Sequence, residues 1–253
     1  MLISFRTFLP IAALLAALVT APQSFAFDWN LWGKKIVGSG VIKAETRALT
    51  GFSGISLGIP AKLTVVQNGT ESVTITADDN VLPLISTEIS GTTLKIRWTE
   101  KNINLSSKTL RITVNLKAVQ SLAVEGSGDI MADGLTFTEL RTSIGGSGDI
   151  QLRNLAGEKV KASVAGSGDV FLTGNVGVFD VSIAGSGDIK AERLAAKTVS
   201  VSIAGSGNAV VLANESLKVS VAGSGDVRHY GSAKVSTSIA GSGSVKHLGA
   251  GPS

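Results

Sequence analysis

The second half of the chain alternates apolar and polar residues with a period of two, and the alternation returns about every twenty residues. The recurring unit reads apolar-Ser-[Ile/Val]-Ala-Gly-Ser-Gly-Asp-[Ile/Val], as in Val201-Ser202-Ile203-Ala204-Gly205-Ser206-Gly207-Asn208. Its first glycine falls at Gly126, Gly146, Gly166, Gly185, Gly205, Gly223 and Gly241, giving spacings of 20, 20, 19, 20, 18 and 18 residues. Two residues before it stand Val124, Ile144, Val164, Ile183, Ile203, Val221 and Ile239; four after it stand Ile130, Ile150, Val170, Ile189, Ala209, Val227 and Val245. These positions share one parity with both glycines, whereas Ser, Ala, Ser and Asp hold the other. Such a period predicts extended chain with one buried face and excludes an amphipathic helix.

Gly-Ser-Gly then reads as a corner, where the missing Cβ lets the backbone bend or approach the core closely. A unit of 18 to 20 residues closes a coil of three short strands, each about five or six residues long. A lone coil has unpaired edges and is stable only when the next one hydrogen-bonds onto it. The expected fold is all-β: a parallel β-helix or solenoid, expected to be right-handed, with about seven 18–20-residue rungs over residues 120–249. At roughly 4.8 Å per rung, that is a rod on the order of 34 Å long.

Residues 37–119 are β-rich but less regular. Val37-Gly38-Ser39-Gly40-Val41 is a stray copy of the motif, and strands are expected at Ile55 to Leu57, Lys62 to Val66, Ser72 to Thr76, Thr87 to Ile89, Thr93 to Trp98 and Leu110 to Leu116. Asn68-Gly69 is a tight-turn dipeptide. Asp79 or Asn80 is placed to cap a short helical turn through Val81-Leu82-Pro83-Leu84-Ile85. This region is either irregular rungs of the same coil or an abutting sheet domain, and continuity is the expectation.

Residues 1–26 read as a signal peptide: Arg6 supplies the positive segment, Leu9 to Val19 the apolar run and Ser24-Phe25-Ala26 the cleavage site. Export to the periplasm or the cell surface is therefore expected, with no transmembrane segment once the signal is removed. The following segment, 27–36, carries Trp29 and Trp32 and reads as an end plug for the coil or as an aromatic contact surface. Residues 250–253 are a tail. Without the signal, the balance of charges falls from +4 to +3, too mild and dispersed for nucleic-acid binding. The absence of cysteine excludes disulfides, a thiolate metal site and a cysteine nucleophile.

The run Phe52-Ser53-Gly54-Ile55, then Asp78-Asp79-Asn80-Val81-Leu82 followed by Ile85-Ser86-Thr87, then Gly-Ser-Gly-Asp copies to the end, resembles the bacterial family called putative auto-transporter adhesin, head GIN domain (formerly a domain of unknown function, DUF2807). The resemblance spans Val37 to Gly249. It implies an exported bacterial envelope protein with a β-helical fold and an adhesive role, and brings no catalytic residues to transfer. No β-barrel translocator or long stalk follows in this sequence, so a head alone is expected.

Two outward columns follow from the parity. One is Asp129, Asp149, Asp169, Asp188, Asn208, Asp226 and Ser244, with neighbours about 5 Å apart. Like charges at that spacing repel by about 1 kcal/mol per solvated neighbour. Either a Ca²⁺ ladder offsets this, or each side chain accepts backbone N–H bonds at its own corner. Asn208 and Ser244, which keep the turn bond without the charge, favour the second. The other column is Ser127, Ser147, Ser167, Ser186, Ser206, Ser224 and Ser242, with a parallel line through Ser143, Ser163, Ser182, Ser202, Ser220 and Ser238. Together they make a flat hydroxyl strip suited to a regular partner such as a polysaccharide, an ice lattice or another copy of the protein, or they are simply what a tightly stacked edge permits.

His229 and His247 lie at equivalent positions of consecutive rungs and should stack; two imidazoles are candidate metal ligands, but no third ligand is evident. Carboxylates spread one per rung, with no Ser-His-Asp arrangement, metalloprotease helix or phosphate loop, argue against an enzyme. The expected function is a non-enzymatic adhesin or envelope interaction module with a polysaccharide or protein partner. Alternatives are a self-associating structural protein and a calcium- or polysaccharide-binding repeat protein.

Overall fold

The computed structural model describes residues 34–107 and 109–252. The expected signal peptide and the tryptophan-bearing segment up to residue 33 lie outside the described residues. Within them, the less regular part contains β1 (Lys34–Val37), β2 (Ile42–Arg47), β3 (Gly54–Leu57), β4 (Lys62–Gln67), β5 (Ser72–Asp78), β6 (Ile85–Ser90), β7 (Thr93–Trp98), β8 (Ile103–Ser106) and β9 (Leu110–Leu116). The repeat array follows as β10 (Ser121–Val124), β11 (Asp129–Asp133), β12 (Thr136–Ile144), β13 (Ile150–Val164), β14 (Val170–Gly185), β15 (Ile189–Gly205), β16 (Ala209–Gly223), β17 (Val227–Tyr230), β18 (Lys234–Gly241) and β19 (Val245–His247).

The array is a parallel β-solenoid. β12, β13, β14, β15 and β16 pair in parallel, each with the next, and β16 pairs with both β17 and β18. Equivalent motif residues are register partners: Ser163 with Ser182, Ser182 with Ser202, Ser202 with Ser220 and Ser220 with Ser238. The Gly-Ser-Gly corners therefore stack in one ridge, bounding about six complete turns. The core is the apolar parity: Val124, Ile144, Val164, Ile183, Ile203 and Val221 are buried, as are Ile130, Ile150, Val170, Ile189, Ala209 and Val227. Fully burying one such side chain stabilises by about 1.5–3 kcal/mol.

One expectation is corrected. A coil is not three short strands but one nearly continuous strand of 15 to 17 residues in β13 to β16, broken at the Gly-Ser-Gly-Asp corner. The chain turns its other corner through β-bulges, which bend a strand without ending it.

The ladders continue below the array. β3 pairs with β10 and β4 with β11, both in parallel, so residues 54–67 lie beneath the first repeat rung with Gly58 to Ala61 under its corner. Beneath them, β7 pairs with β3 and β9 with β4 in parallel. The ladders then end antiparallel, in β6 on one side and in β5 followed by β2 on the other. Asn68-Gly69 does turn the chain, with Gly69 at φ 80° and the Asn68 side chain accepting from Thr70 N–H at 3.1 Å. Yet β4 and β5 do not pair with each other, because β9 lies between them.

Asp79 and Asn80 do not cap the short 3-10 turn at Leu82–Leu84, which has no side-chain cap. They hold the stray Gly-Ser-Gly instead. Ser39 Oγ donates to Asp79 (2.6 Å), Ser39 N–H donates to Asn80 (3.0 Å), and Asn80 Nδ2 donates to the Val37 carbonyl (2.8 Å). Buried Asp78 accepts from Ser107 Oγ and from Gly40 N–H, and these bonds hold its carboxyl below the usual carboxylate range.

Candidate functional site

The aspartate column is an interlocking ladder, and it differs from the expected turn bond in one respect. Each side chain serves the next rung, not its own corner. Asp129 Oδ1 accepts from Asp149 N–H (3.2 Å), Asp149 from Asp169 (2.9 Å), Asp169 from Asp188 (3.0 Å), and Asp188 from Asn208 (2.8 Å). Asn208 Oδ1 accepts from Asp226 N–H (3.0 Å), and Asp226 Oδ1 accepts from both N–H and Oγ–H of Ser244 (2.9 and 2.7 Å). The two uncharged members now have reasons. Asn208 keeps the acceptor and adds a donor to Asp188 (3.0 Å), whereas Ser244 ends the ladder and needs only to donate.

These bonds offset the charge repulsion without a cation. At Asp226 the bonds from Ser244 hold the carboxyl below its ordinary value. Lys190 adds an ion pair to Asp169 Oδ2 (2.6 Å), which raises the lysine above its usual range. Among the described residues, no group of three or more His, Asp or Glu side chains is arranged to hold a metal ion. With one carboxylate oxygen per rung spent on a backbone N–H, the column does not fit the many-oxygen shell that Ca²⁺ requires.

The glycines explain the ridge. A Cβ on Gly148, Gly168, Gly187, Gly207 or Gly225 would fall well inside contact distance of the glycine carbonyl one rung below. The carbonyl of each first glycine takes forked bonds from the rung above, such as Ser147 and Gly148 N–H both donating to the Gly126 carbonyl (2.9 and 3.1 Å). The serines therefore cannot turn inward. Ser127, Ser147, Ser167, Ser186, Ser206, Ser224 and Ser242 are exposed, as are Ser143, Ser163, Ser182, Ser202, Ser220 and Ser238. None of their hydroxyls has a side-chain hydrogen bond among the described residues, and only Gly145, Ala165, Ala184, Ala204, Ala222 and Ala240 separate the two lines.

His229 and His247 stack as the spacing requires, with ring centroids 4.9 Å apart and planes at 29°. His229 occupies the core column above Val211 and is buried, with Nδ1 unpartnered; burial lowers its pKa below the ordinary 6.5, and His247 lowers it further. His247 is exposed on the last rung and contacts the Gly231 carbonyl through Nε2 (3.0 Å). The pair is a polar end to an apolar column, and among the described residues no His, Asp or Glu joins it in a group of three.

Sequence reasoning missed the opposite corner. There Arg153, Asn154, Phe171, Thr173, Gly174 and Arg193 line a cleft of about 540 Å³. The available signal was the rung lengths, since a 20-residue rung stacked on 18- or 19-residue rungs must bulge its extra residues somewhere.

A family model matches residues 51–233, most of the chain and all of the ridge except its last corner. The chain belongs to the putative auto-transporter adhesin, head GIN domain family. This stretch is narrower than the Val37 to Gly249 span suggested by the motif. Among solved structures, a putative adhesin from Bacteroides fragilis is 25% identical with a TM-score of 0.77, covering 84% of this chain and 100% of that one. A protein described as a putative lipid binding protein from Parabacteroides distasonis is 26% identical with a TM-score of 0.73, covering 85% of this chain and 100% of its own. A putative adhesin from Parabacteroides merdae, 21% identical with a TM-score of 0.68 over 85% and 99%, shares the fold of this head GIN domain. No curated protein matches the sequence.

Proposed function

We propose that this head GIN domain protein is exported and acts as a non-enzymatic adhesin or envelope interaction module through its flat serine face. The observation that carries the reading is the two lines of exposed hydroxyls, held in constant register across six coils and left without internal side-chain partners. A rigid lattice of this kind meets a regular partner, a polysaccharide or a repetitive protein surface, at little cost in ordering its own side chains. Catalysis would need acids and bases gathered in one place, and the ladder carboxylates are each committed to the rung above.

The test is protease accessibility of the tagged protein on intact cells, combined with adhesion of cells carrying Ser182→Arg and Ser202→Arg. Surface exposure with lost adhesion is expected. A wholly protected protein, or adhesion unchanged by two large side chains in the middle of the face, would overturn the proposal.

A second reading is end-to-end self-association. β18 pairs on one side only, with β16, and the upper end leaves Val235, Ile239 and Leu248 exposed at 43%, 41% and 37%. Open strand edges recruit further strands. Light scattering across concentration tests this, and a strict monomer at all concentrations removes it.

A further inference from the structure

The corner opposite the ridge is where the array departs from its own repeat. β13 takes three residues from Leu152 to Leu155 where β14 takes two, from Leu172 to Gly174. β15 takes three from Lys190 to Arg193 where β14 takes two, from Phe171 to Thr173. Asn154 sits in the bulge of β13 with a left-handed φ of 52°, an arrangement disfavoured for most residues and less so for Asn. It is fixed there by its N–H to Thr173 Oγ1 (3.1 Å) and by Nδ2 to Asp133 (2.8 Å). Bulges re-aim side chains, and these carry Arg153 and Arg193 to the two sides of one cleft.

Both arginines are exposed, and neither guanidinium has a hydrogen bond or ion pair among the described residues. Arg47, Arg97 and Arg141 are paired with carboxylates, whereas Arg153 and Arg193 share their unpaired state with Arg111 and Arg228 and differ from those two in lining one cleft together. Asp133 is already engaged by Asn154, and Glu192 keeps one carboxylate oxygen buried. Half-buried Phe171 lines the same cleft, with Thr173 and Gly174, and Thr173 is the register partner of Arg193.

We propose that this cleft binds an acidic saccharide, each guanidinium taking a sugar carboxylate and Phe171 lying against the apolar face of a ring. The planar fork of arginine matches a carboxylate in two parallel hydrogen bonds, and the guanidiniums start two rungs apart, about 9.6 Å, so a chain with more than one carboxylate fits better than a single small anion. A membrane surface fits less well, because the exposed large apolar residues, Val37, Val41, Ile42, Val66, Ile89, Val235, Ile239 and Leu248, are all outside the cleft. The site is separate from the serine face and stands or falls independently of it.

The experiment titrates the full chain, by calorimetry at low and moderate salt, with a short oligogalacturonate, its methyl-ester form, inorganic phosphate, and phosphatidylglycerol vesicles. Binding of the oligogalacturonate is expected, with the ester at least about tenfold weaker and Arg153→Gln/Arg193→Gln weaker by about tenfold or more. Arg153→Lys/Arg193→Lys, which keeps the charge but loses the fork, falls between. Lys218→Gln/Lys234→Gln removes the same charge elsewhere and leaves binding unchanged. Equal melting temperatures of all variants exclude unfolding as the cause. No binding, binding unaffected by the glutamine pair, binding lost equally in the lysine control, phosphate bound as tightly as the oligomer, or vesicles bound in place of it would each overturn the proposal.

Discussion

The two corners of each coil obey different rules. At the Gly-Ser-Gly-Asp ridge, backbone lies against backbone: glycine carbonyls stack, aspartates reach up one rung, and the register never slips. At the opposite corner, every change of register among β13, β14, β15 and β16 occurs, within Leu152–Leu155, Phe171–Thr173 and Ala191–Thr198 of the lower strands and their partners above. The rung lengths of 18 to 20 residues are reconciled there and nowhere else. A repeat protein can hold one edge invariant and let the other vary, and the variable edge is where non-repeating side chains such as Arg153, Phe171 and Arg193 find room.

The largest effect that would sharpen this contrast comes from glycine. Gly148→Ala must push a Cβ into the Gly128 carbonyl, and about 3 kcal/mol or more of stability should be lost, the upper end of overpacking costs. Gly134→Ala, in the variable corner, has a φ of 70° but meets nothing within 4 Å, so it should cost only about 1 kcal/mol. Urea denaturation compares them, and equal losses would erase the distinction between the corners.

The core between the corners comes next. Leu172 is fully buried, and Leu172→Ala should cost about 2–5 kcal/mol by the same measurement.

The ladder gives a smaller and more discriminating result. Asp149→Ala orphans the Asp169 N–H and should cost about 1 kcal/mol. Asp149→Asn, which copies Asn208, should cost nothing measurable and would leave the protein insensitive to added calcium. A calcium-dependent rise in melting temperature of the natural protein, lost in the asparagine variant, would revive the cation ladder.

The smallest effect is that of pH. His229 has a folded pKa below the unfolded value of about 6.5, so the unfolded chain binds more protons and stability rises with pH. Its contribution is complete above about pH 6.5 and is lost as pH falls through the folded value. Melting temperature should therefore drop between pH 8 and pH 5, and His229→Val, which extends the Val211 column, should flatten the profile.

The fold was legible because backbone stacking imposes a strict parity. Val124, Gly128 and Ser127 could be assigned inside, corner and outside from spacing alone, since any other residue type at Gly128 would collide with the Ile59 and Ala61 carbonyls below. The His229 and His247 stack was legible for the same reason. The direction of the aspartate bonds was not, because a side chain that serves its own corner and one that serves the next rung leave the same mark in a repeat. Nor was the role of Asp79 and Asn80, whose partners, Val37 and Ser39, lie some 40 residues away. The Arg153 cleft depends on where a bulge falls, which composition and period do not encode.

Because each aspartate completes the coil after it, the chain carries its own instruction for changing length. Removal of residues 186–205 would join Gly185 to Ser206-Gly207-Asn208 and bring Asn208 N–H to the waiting Asp169 oxygen, giving a molecule shorter by one storey with all its joints made. Insertion or loss of whole storeys is then cheap for such a lineage, whereas a cut within one is not, and the reach of the head can be adjusted without redesigning it.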